Sequence, residues 1–229
     1  MIPLRDLNPV GRAPVVTRLL LLAILALWVY TLTLMRTPGA LDAFYGTWAF
    51  DWTVFTAALA DGRWTVATFA PLITHMFLHG GWLHALGNML YLWIFGDNVE
   101  DRLGGLRFLA FYLACGVAAA VGQGLVAPSP MVGASGAIAG VLGAYLILSP
   151  GARISTLIFL GIFISVVQMP AIIVILFFIL IQLLDGLAQL RVTGADSTEQ
   201  VAYFAHLFGF AAGIVLILLI RPARSFRRR

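Results

Sequence analysis

Long intervals without a charged residue limit the folds open to this chain more than any other feature. Residues 19–35, 64–96, 108–152, 154–184 and 201–220 contain no Asp, Glu, Lys or Arg. A charge at the centre of a bilayer costs at least about 2.5 kcal/mol, so such intervals are typical of segments that cross one. Charged residues make up only 10% of the chain, against about 25% in soluble domains. A soluble globular protein is therefore excluded.

The five intervals predict six transmembrane helices. Gly80-Gly81 shortens the interval 64–96 to one helix, and the prolines at 128 and 130 divide the interval 108–152 into two helices. Before Pro170 we expect an interfacial or irregular segment, and after it a single span. The expected spans are residues 19–35, 82–96, 108–127, 133–148, 171–184 and 201–220. The predicted fold class is all-α, a polytopic membrane bundle of six helices that forms one domain over residues 1–229.

The arginines predict how the bundle is oriented. Six crossings put both termini on one side, and with that side cytoplasmic eleven of the 14 arginines lie inside and three outside. We expect residues 1–18 and the basic tail 221–229 to be cytoplasmic. A seventh span over 154–167 would move the tail across the membrane and is disfavoured. The sequence has no organelle-type targeting segment, which favours a bacterial plasma membrane.

Four polar side chains in the predicted spans share one depth. At about 1.5 Å per residue, His84, Asn88, Ser135 and His206 lie between roughly 5 and 11 Å below the outer face. Small residues on the fourth and sixth spans allow close helix packing. These small residues are Gly136, Gly140 and Gly143 on one span, and Ala202, Gly209 and Gly213 on the other. A close crossing would bring Ser135 and His206 within hydrogen-bond range.

Ser135 and His206 have the chemistry of a nucleophile and its base. A hydroxyl becomes a strong nucleophile when a neutral imidazole takes its proton. Ser135 begins a helix, where unpaired amides favour an anion, and His84 and Asn88 add donors at the same depth. Asp and Glu are missing from these parts of the spans, so a dyad is expected rather than a triad.

Other interpretations of the same residues remain open at this stage. One alternative is that Ser135 and His206 do no more than form hydrogen bonds within or between helices. The same alternative holds for His84 and Asn88. His75, His79 and His84 resemble a metal site only weakly, since no carboxylate accompanies them, and no metal or cofactor is expected. A non-enzymatic membrane factor and a small transporter or channel are the rival functions. The arginine distribution favours membrane lipids as partners and disfavours nucleic acid.

Four motifs together resemble the rhomboid intramembrane serine proteases, in the family's order and over most of the chain, from about residue 74 to 220. They are His84-Ala-Leu-Gly-Asn88, Glu100-Asp101-Arg102, Gly133-Ala-Ser135-Gly136 and Ala205-His206-Leu-Phe-Gly209.

The resemblance implies a Ser135/His206 dyad that cleaves transmembrane helices of membrane-protein substrates near the outer face. It implies an oxyanion or substrate-stabilising group of His84, Asn88 and Gly133 with the Ser135 amide. Glu100, Arg102, Gly136 and Gly209 match structural positions of the family, and residues 185–198 match its cap region. Two positions differ from the common pattern: the order Arg63-Trp64 is reversed, and Ala139 stands where some members carry a tyrosine.

Overall fold

The computed structural model of the chain describes residues 1–160, 163–190 and 201–220. The helices are α1 (Val15–Leu34), α2 (Ala40–Trp48), α3 (Trp52–Ala60), α4 (Val66–Phe69), α5 (Pro71–Thr74), α6 (Trp82–Leu103), α7 (Gly105–Val126), α8 (Ser135–Leu148), α9 (Ala171–Gln189) and α10 (Tyr203–Ile220), and a 3-10 turn covers His75–Phe77. The strands are β1 (Ile2–Asp6), β2 (Arg153–Leu160) and β3 (Phe163–Pro170). The basic tail 221–229 and most of the expected cap region lie outside the described residues.

The long helices confirm the expected polytopic helical bundle. Within the described residues α1, α7, α9 and α10 are each long and apolar enough to cross a membrane. Helix α8 is apolar but has only 14 residues. Helix α6 continues past Gly96, the predicted end of its span, to Leu103. The charged residues at 97 and 100–102 end the apolar stretch without breaking the helix, so the absence of charge marks the apolar part of α6 and not its full length.

A β-hairpin lies before Pro170, where an interfacial or irregular segment was expected. Strands β2 and β3 pair antiparallel from Arg153 opposite Pro170 onwards, and β1 pairs antiparallel with the other edge of β2. Isoleucine and valine are frequent in this segment, and such β-branched residues favour strands over helices. The expectation of an irregular segment was therefore wrong, whereas an interfacial location stays a prediction. The described residues of 154–167 form strands and not the disfavoured seventh helix.

The end of α6 connects two other helices through the Glu100 and Arg102 side chains. Glu100 is buried, and its carboxylate accepts hydrogen bonds from the Val16 amide at 2.9 Å, the Thr17 amide at 2.7 Å and the Thr17 hydroxyl at 2.7 Å. These amides belong to the first turn of α1, where backbone amides have no hydrogen-bond acceptor within the helix. Arg102 donates to the Leu148 carbonyl at the end of α8, at 3.3 Å. Both contacts fix α1, α6 and α8 at the end of the bundle opposite Ser135.

Strand β1 is held against the same end of the bundle by the Asp6 carboxylate. The Tyr145 hydroxyl donates to Asp6 at 2.7 Å and the Asn98 side-chain amide donates at 2.6 Å. Burial raises the pKa of Asp6, and these hydrogen bonds oppose part of that rise. The N-terminal segment is thus part of the packed fold.

Helices α8 and α10 cross closely because both contact faces are lined with glycine. A methyl group built on Gly209 would overlap the carbonyl oxygen of Gly136, and one built on Gly213 would overlap that of Gly140. A methyl group on Gly143 would lie 2.5 Å from the Phe210 carbonyl oxygen. The close approach expected from the small residues is present, and it brings the start of α8 against the first turns of α10.

Candidate active site

Ser135 and His206 meet where α8 and α10 cross. Ser135 is the first residue of α8, and His206 lies in the first turn of α10. The Ser135 hydroxyl oxygen is 2.7 Å from Nε2 of His206. The histidine is only 7% exposed, whereas Ser135 is half-buried and so remains open to a reacting group. A hydroxyl held this close to an imidazole nitrogen has the geometry needed for proton transfer.

Two side chains of α9 also contact His206. The Gln182 side-chain oxygen Oε1 is 2.6 Å from Nδ1 of His206. The Phe178 ring lies 5.9 Å from the imidazole, centroid to centroid, at an interplanar angle of 41°. Sequence reasoning missed both contacts. The signal available was the i, i+4 spacing of Phe178, Gln182 and Gly186, which puts an aromatic, an amide and a small residue on one face of α9.

The aromatic neighbour of His206 is Phe178 of α9 and not a residue of α8, the helix that carries Ser135. Ala139 lies four residues after Ser135 on α8 and is fully buried. The ring that packs beside the imidazole instead comes from a different helix. The missing tyrosine therefore does not leave His206 without an aromatic contact.

His84, Asn88 and Gly133 lie together beside the segment that precedes Ser135. A methyl group built on Gly133 would be 2.6 Å from Nε2 of His84 and 3.6 Å from Nδ2 of Asn88. The φ angle of Gly133 is +126°, which L side chains rarely adopt. Gly133 is thus required both by its backbone conformation and by the close approach of the His84 ring.

Asn88 carries a buried donor that is left unpaired by the part of the chain that the structure describes. Its side chain is 7% exposed, and Nδ2 has no hydrogen bond among the described residues. His84 is exposed, one turn earlier on the same face of α6. A buried amide without a partner is costly, and such groups call for an explanation. A ligand oxygen beside Gly133 would satisfy this donor.

The start of α10 is fixed by Gln123 of α7. The Gln123 oxygen Oε1 accepts from the Ala205 amide at 3.1 Å, and its Nε2 donates to the Ala127 carbonyl at 2.7 Å. Ala205 directly precedes His206. A single buried side chain on α7 thus satisfies a first-turn amide of α10 and holds the histidine backbone in place.

His75 and His79 lie outside the Ser135–His206 contact. His75 Nδ1 donates to the Pro71 carbonyl at 2.8 Å, and the His75 carbonyl accepts from the Gly133 amide at 2.8 Å. His79 is fully buried, and its carbonyl accepts from the Tyr45 hydroxyl at 2.7 Å. These contacts attach the segment before α6 to Gly133 and to α2.

The fold and the site together define a multi-pass membrane protein with a serine and a histidine in contact on crossing helices. The chain matches the Rhomboid domain family over residues 64–223, which include every residue of the site. It belongs to the rhomboid family.

Several curated proteins are similar to parts of the chain. The rhomboid protease GluP of Bacillus subtilis is 42% identical over 88 residues, which are 38% of this chain and 16% of that protein. The chloroplastic rhomboid-like protein 11 of Arabidopsis thaliana is 31% identical over 153 residues, 65% of this chain and 51% of the relative. RHOMBOID-like protein 4 of the same plant is 34% identical over 154 residues, 66% of this chain and 34% of the relative. The chain thus spans about half of these relatives' length or less.

Proposed function

We propose that this protein is an intramembrane serine endopeptidase that cleaves transmembrane helices of membrane-protein substrates near the outer membrane face. The observation that carries the proposal is the 2.7 Å contact between the Ser135 hydroxyl and His206 Nε2 within a rhomboid-family membrane bundle. GluP, a relative by sequence, is named a rhomboid protease.

The reaction proceeds in two halves. Ser135 Oγ attacks the substrate carbonyl carbon while its proton passes to His206 Nε2, giving a tetrahedral intermediate. Collapse of this intermediate breaks the peptide C–N bond, and His206 returns the proton to the leaving amine. Water then attacks the acyl ester and gives one proton to His206, which passes it back to Ser135 as the carboxylic acid product leaves. The acid then releases its own proton to solvent. No cofactor is consumed in either half.

The negative oxygen of the intermediate is stabilised beside Gly133. The Ser135 amide belongs to the first turn of α8, where amides are unpaired within the helix and the helix dipole favours negative charge. The unpartnered Nδ2 of Asn88 and the exposed His84 ring supply further donors there. Donors already in place cost no reorganisation during the reaction, which is why such groups contribute strongly to catalysis.

The distribution of arginine supports a location of this site toward the outer face. Ser135 begins α8, and the opposite end of the bundle carries the arginines at 5, 102, 107 and 153. An excess of arginine is typical of cytoplasmic segments. We therefore assign the end of the bundle that carries the sheet to the cytoplasm of a bacterial cell and the Ser135 end to the outer half of its inner membrane.

A serine-reactive fluorophosphonate probe tests the proposal directly. The purified protein in lipid vesicles is treated with the probe, and the modified residue is identified by mass spectrometry, alongside cleavage of a reporter transmembrane substrate. We expect one phosphonylated serine, Ser135, and cleavage that falls as labelling rises. Ser155 of β2 is the internal control, because it lies at the other end of the fold. Absence of labelling at Ser135 together with absence of cleavage would favour a non-enzymatic factor or a transporter.

Asn88→Ala is expected to slow cleavage by roughly 10²- to 10³-fold, the usual effect of removing one oxyanion donor. The reason is the loss of the buried Nδ2 donor beside Gly133, while the Ser135–His206 contact stays intact. Steady-state cleavage rates and melting temperatures are compared with those of Asn98→Ala, a matched change about 15 Å further along α6. Asn98→Ala should lower stability, since it removes the contact with Asp6, but not kcat. Wild-type turnover in Asn88→Ala would remove this residue from the oxyanion site.

A further inference from the structure

We propose that Gln182 is a positioning residue that holds His206 in the tautomer with its proton on Nδ1. In this role a neutral amide on α9 replaces the carboxylate of a catalytic triad. The inference rests on the proposed function, because the tautomer matters for catalysis only if His206 is the base for Ser135. The inference is based on two short contacts of the His206 ring, one at each of its two nitrogens.

Together the two contacts determine which nitrogen of the His206 ring carries the proton. Oε1 of Gln182 lies 2.6 Å from Nδ1, and the Ser135 hydroxyl lies 2.7 Å from Nε2. An amide oxygen only accepts hydrogen bonds, so Nδ1–H must be the donor. A neutral imidazole has one N–H group, which leaves the Nε2 lone pair to accept from the Ser135 hydroxyl. This is the tautomer that a base for Ser135 requires.

The opposite tautomer would block the proton transfer. With the proton on Nε2, the ring would donate to the Ser135 oxygen and have no lone pair there to take the hydroxyl proton. The Nδ1 lone pair would then face the Gln182 oxygen at 2.6 Å, which is repulsive. In a buried site both losses are poorly screened by solvent. Gln182 therefore favours the productive tautomer through the same oxygen that orients the ring.

The position of α9 determines whether this contact exists. Among the described residues of α9 only Ala171, Val174, Ile175 and Gly186 are buried, so the helix packs through a narrow face. That face includes Gly186, where an added methyl group would lie 3.2 Å from Tyr203 Cβ at the start of α10. Gln182 is one turn from Gly186, and Phe178 one turn further on. The close contact at Gly186 thus sets Gln182 and Phe178 against His206.

Gln182→Met and Gln182→Glu separate a positioning role from a packing role. Methionine keeps the length of the side chain but removes the acceptor, and glutamate keeps an accepting oxygen. We expect Gln182→Met to lower kcat by at least about tenfold with little change in KM. We expect Gln182→Glu to keep most of the wild-type kcat. Gln168→Met on the exposed β3 is the matched control and should match the wild type. Equal kcat for wild type and Gln182→Met would overturn the proposal.

Nitrogen-15 NMR of the histidine rings gives a readout that does not depend on proteolysis. The chain has four histidines, and His206 is assigned by comparison with His206→Asn. We expect a protonated Nδ1 and an unprotonated Nε2 in the wild type, and loss of this single form in Gln182→Met. A wild-type ring protonated on Nε2 would overturn the assignment. A wild type with the expected tautomer but no cleavage would instead refute the protease and leave the hydrogen-bond assignment standing.

Discussion

Replacing Ser135 by alanine is expected to abolish cleavage of a transmembrane reporter substrate, with a fall in rate of roughly 10⁴-fold or more. The same loss is expected for His206→Ala. The physical reason is that the two groups act as one unit: within the described residues, His206 is the base in contact with the Ser135 hydroxyl, at 2.7 Å, and Ser135 is the nucleophile in contact with His206. Cleavage is measured in proteoliposomes at saturating substrate, so that a change in binding does not hide the change in kcat.

The double variant Ser135→Ala/His206→Ala tests whether the two side chains act in the same step. Because both side chains serve the same step, the double variant should be no slower than either single one. Ser155→Ala is the matched serine control and should cleave at the wild-type rate. Melting temperatures of all variants establish that the bundle is intact. Cleavage by Ser135→Ala at more than about a hundredth of the wild-type rate would contradict the dyad, since general bases alone contribute 10²- to 10⁴-fold.

Gly209→Val is expected to separate α8 from α10 and to inactivate the protein through its fold. The position leaves no room for a side chain, because even a methyl group would overlap the Gly136 carbonyl oxygen. Neither backbone can yield without moving its helix, so we expect a loss of about 3 kcal/mol or more in the free energy of unfolding. Displacement of His206 from Ser135 by about 1 Å would by itself lower activity about 100-fold.

The matched control for Gly209→Val is Gly87→Val on α6, where an added methyl group meets nothing within 4 Å. Both changes introduce the same β-branched residue into a helix, so their difference reports the helix crossing alone. Unfolding in mixed detergent and fluorophosphonate labelling of Ser135 are measured for both variants. A Gly209→Val protein as stable and as reactive as the Gly87→Val protein would contradict the close α8–α10 contact.

The helical bundle was predictable from the sequence because the cost of charge in lipid acts residue by residue. Charge-free intervals, divided at Gly80-Gly81 and at the prolines 128 and 130, therefore predicted the positions of α1, α6, α7, α8, α9 and α10. The hairpin before Pro170 was not predictable in the same way. After Arg153 this segment is charge-free like the apolar stretches of the helices, so the cost of charge in lipid does not distinguish its strands from a helix, and only its β-branched residues indicated them. The pairing of β2 with Ile2–Asp6 joins segments far apart in the chain and leaves no local signal.

The candidate site was predictable in part. Helix geometry gave a common depth for Ser135 and His206, and glycines at 136, 209 and 213 indicated that the helices approach closely. The contacts of Gln182 and Phe178 with His206 were missed, because the spacing of Phe178, Gln182 and Gly186 defines one face of α9 but does not show which neighbouring helix that face meets.

The sequence by itself therefore determined which segments form apolar helices, and it predicted which polar groups those helices carry to one level. Both are properties of single helices, set by transfer free energy and by the rise per residue. Only the tertiary structure decided which nitrogen of His206 meets Ser135 and what occupies the other. That choice depends on the rotation of α9 and α10 about their own axes, which packing between helices fixes and composition does not.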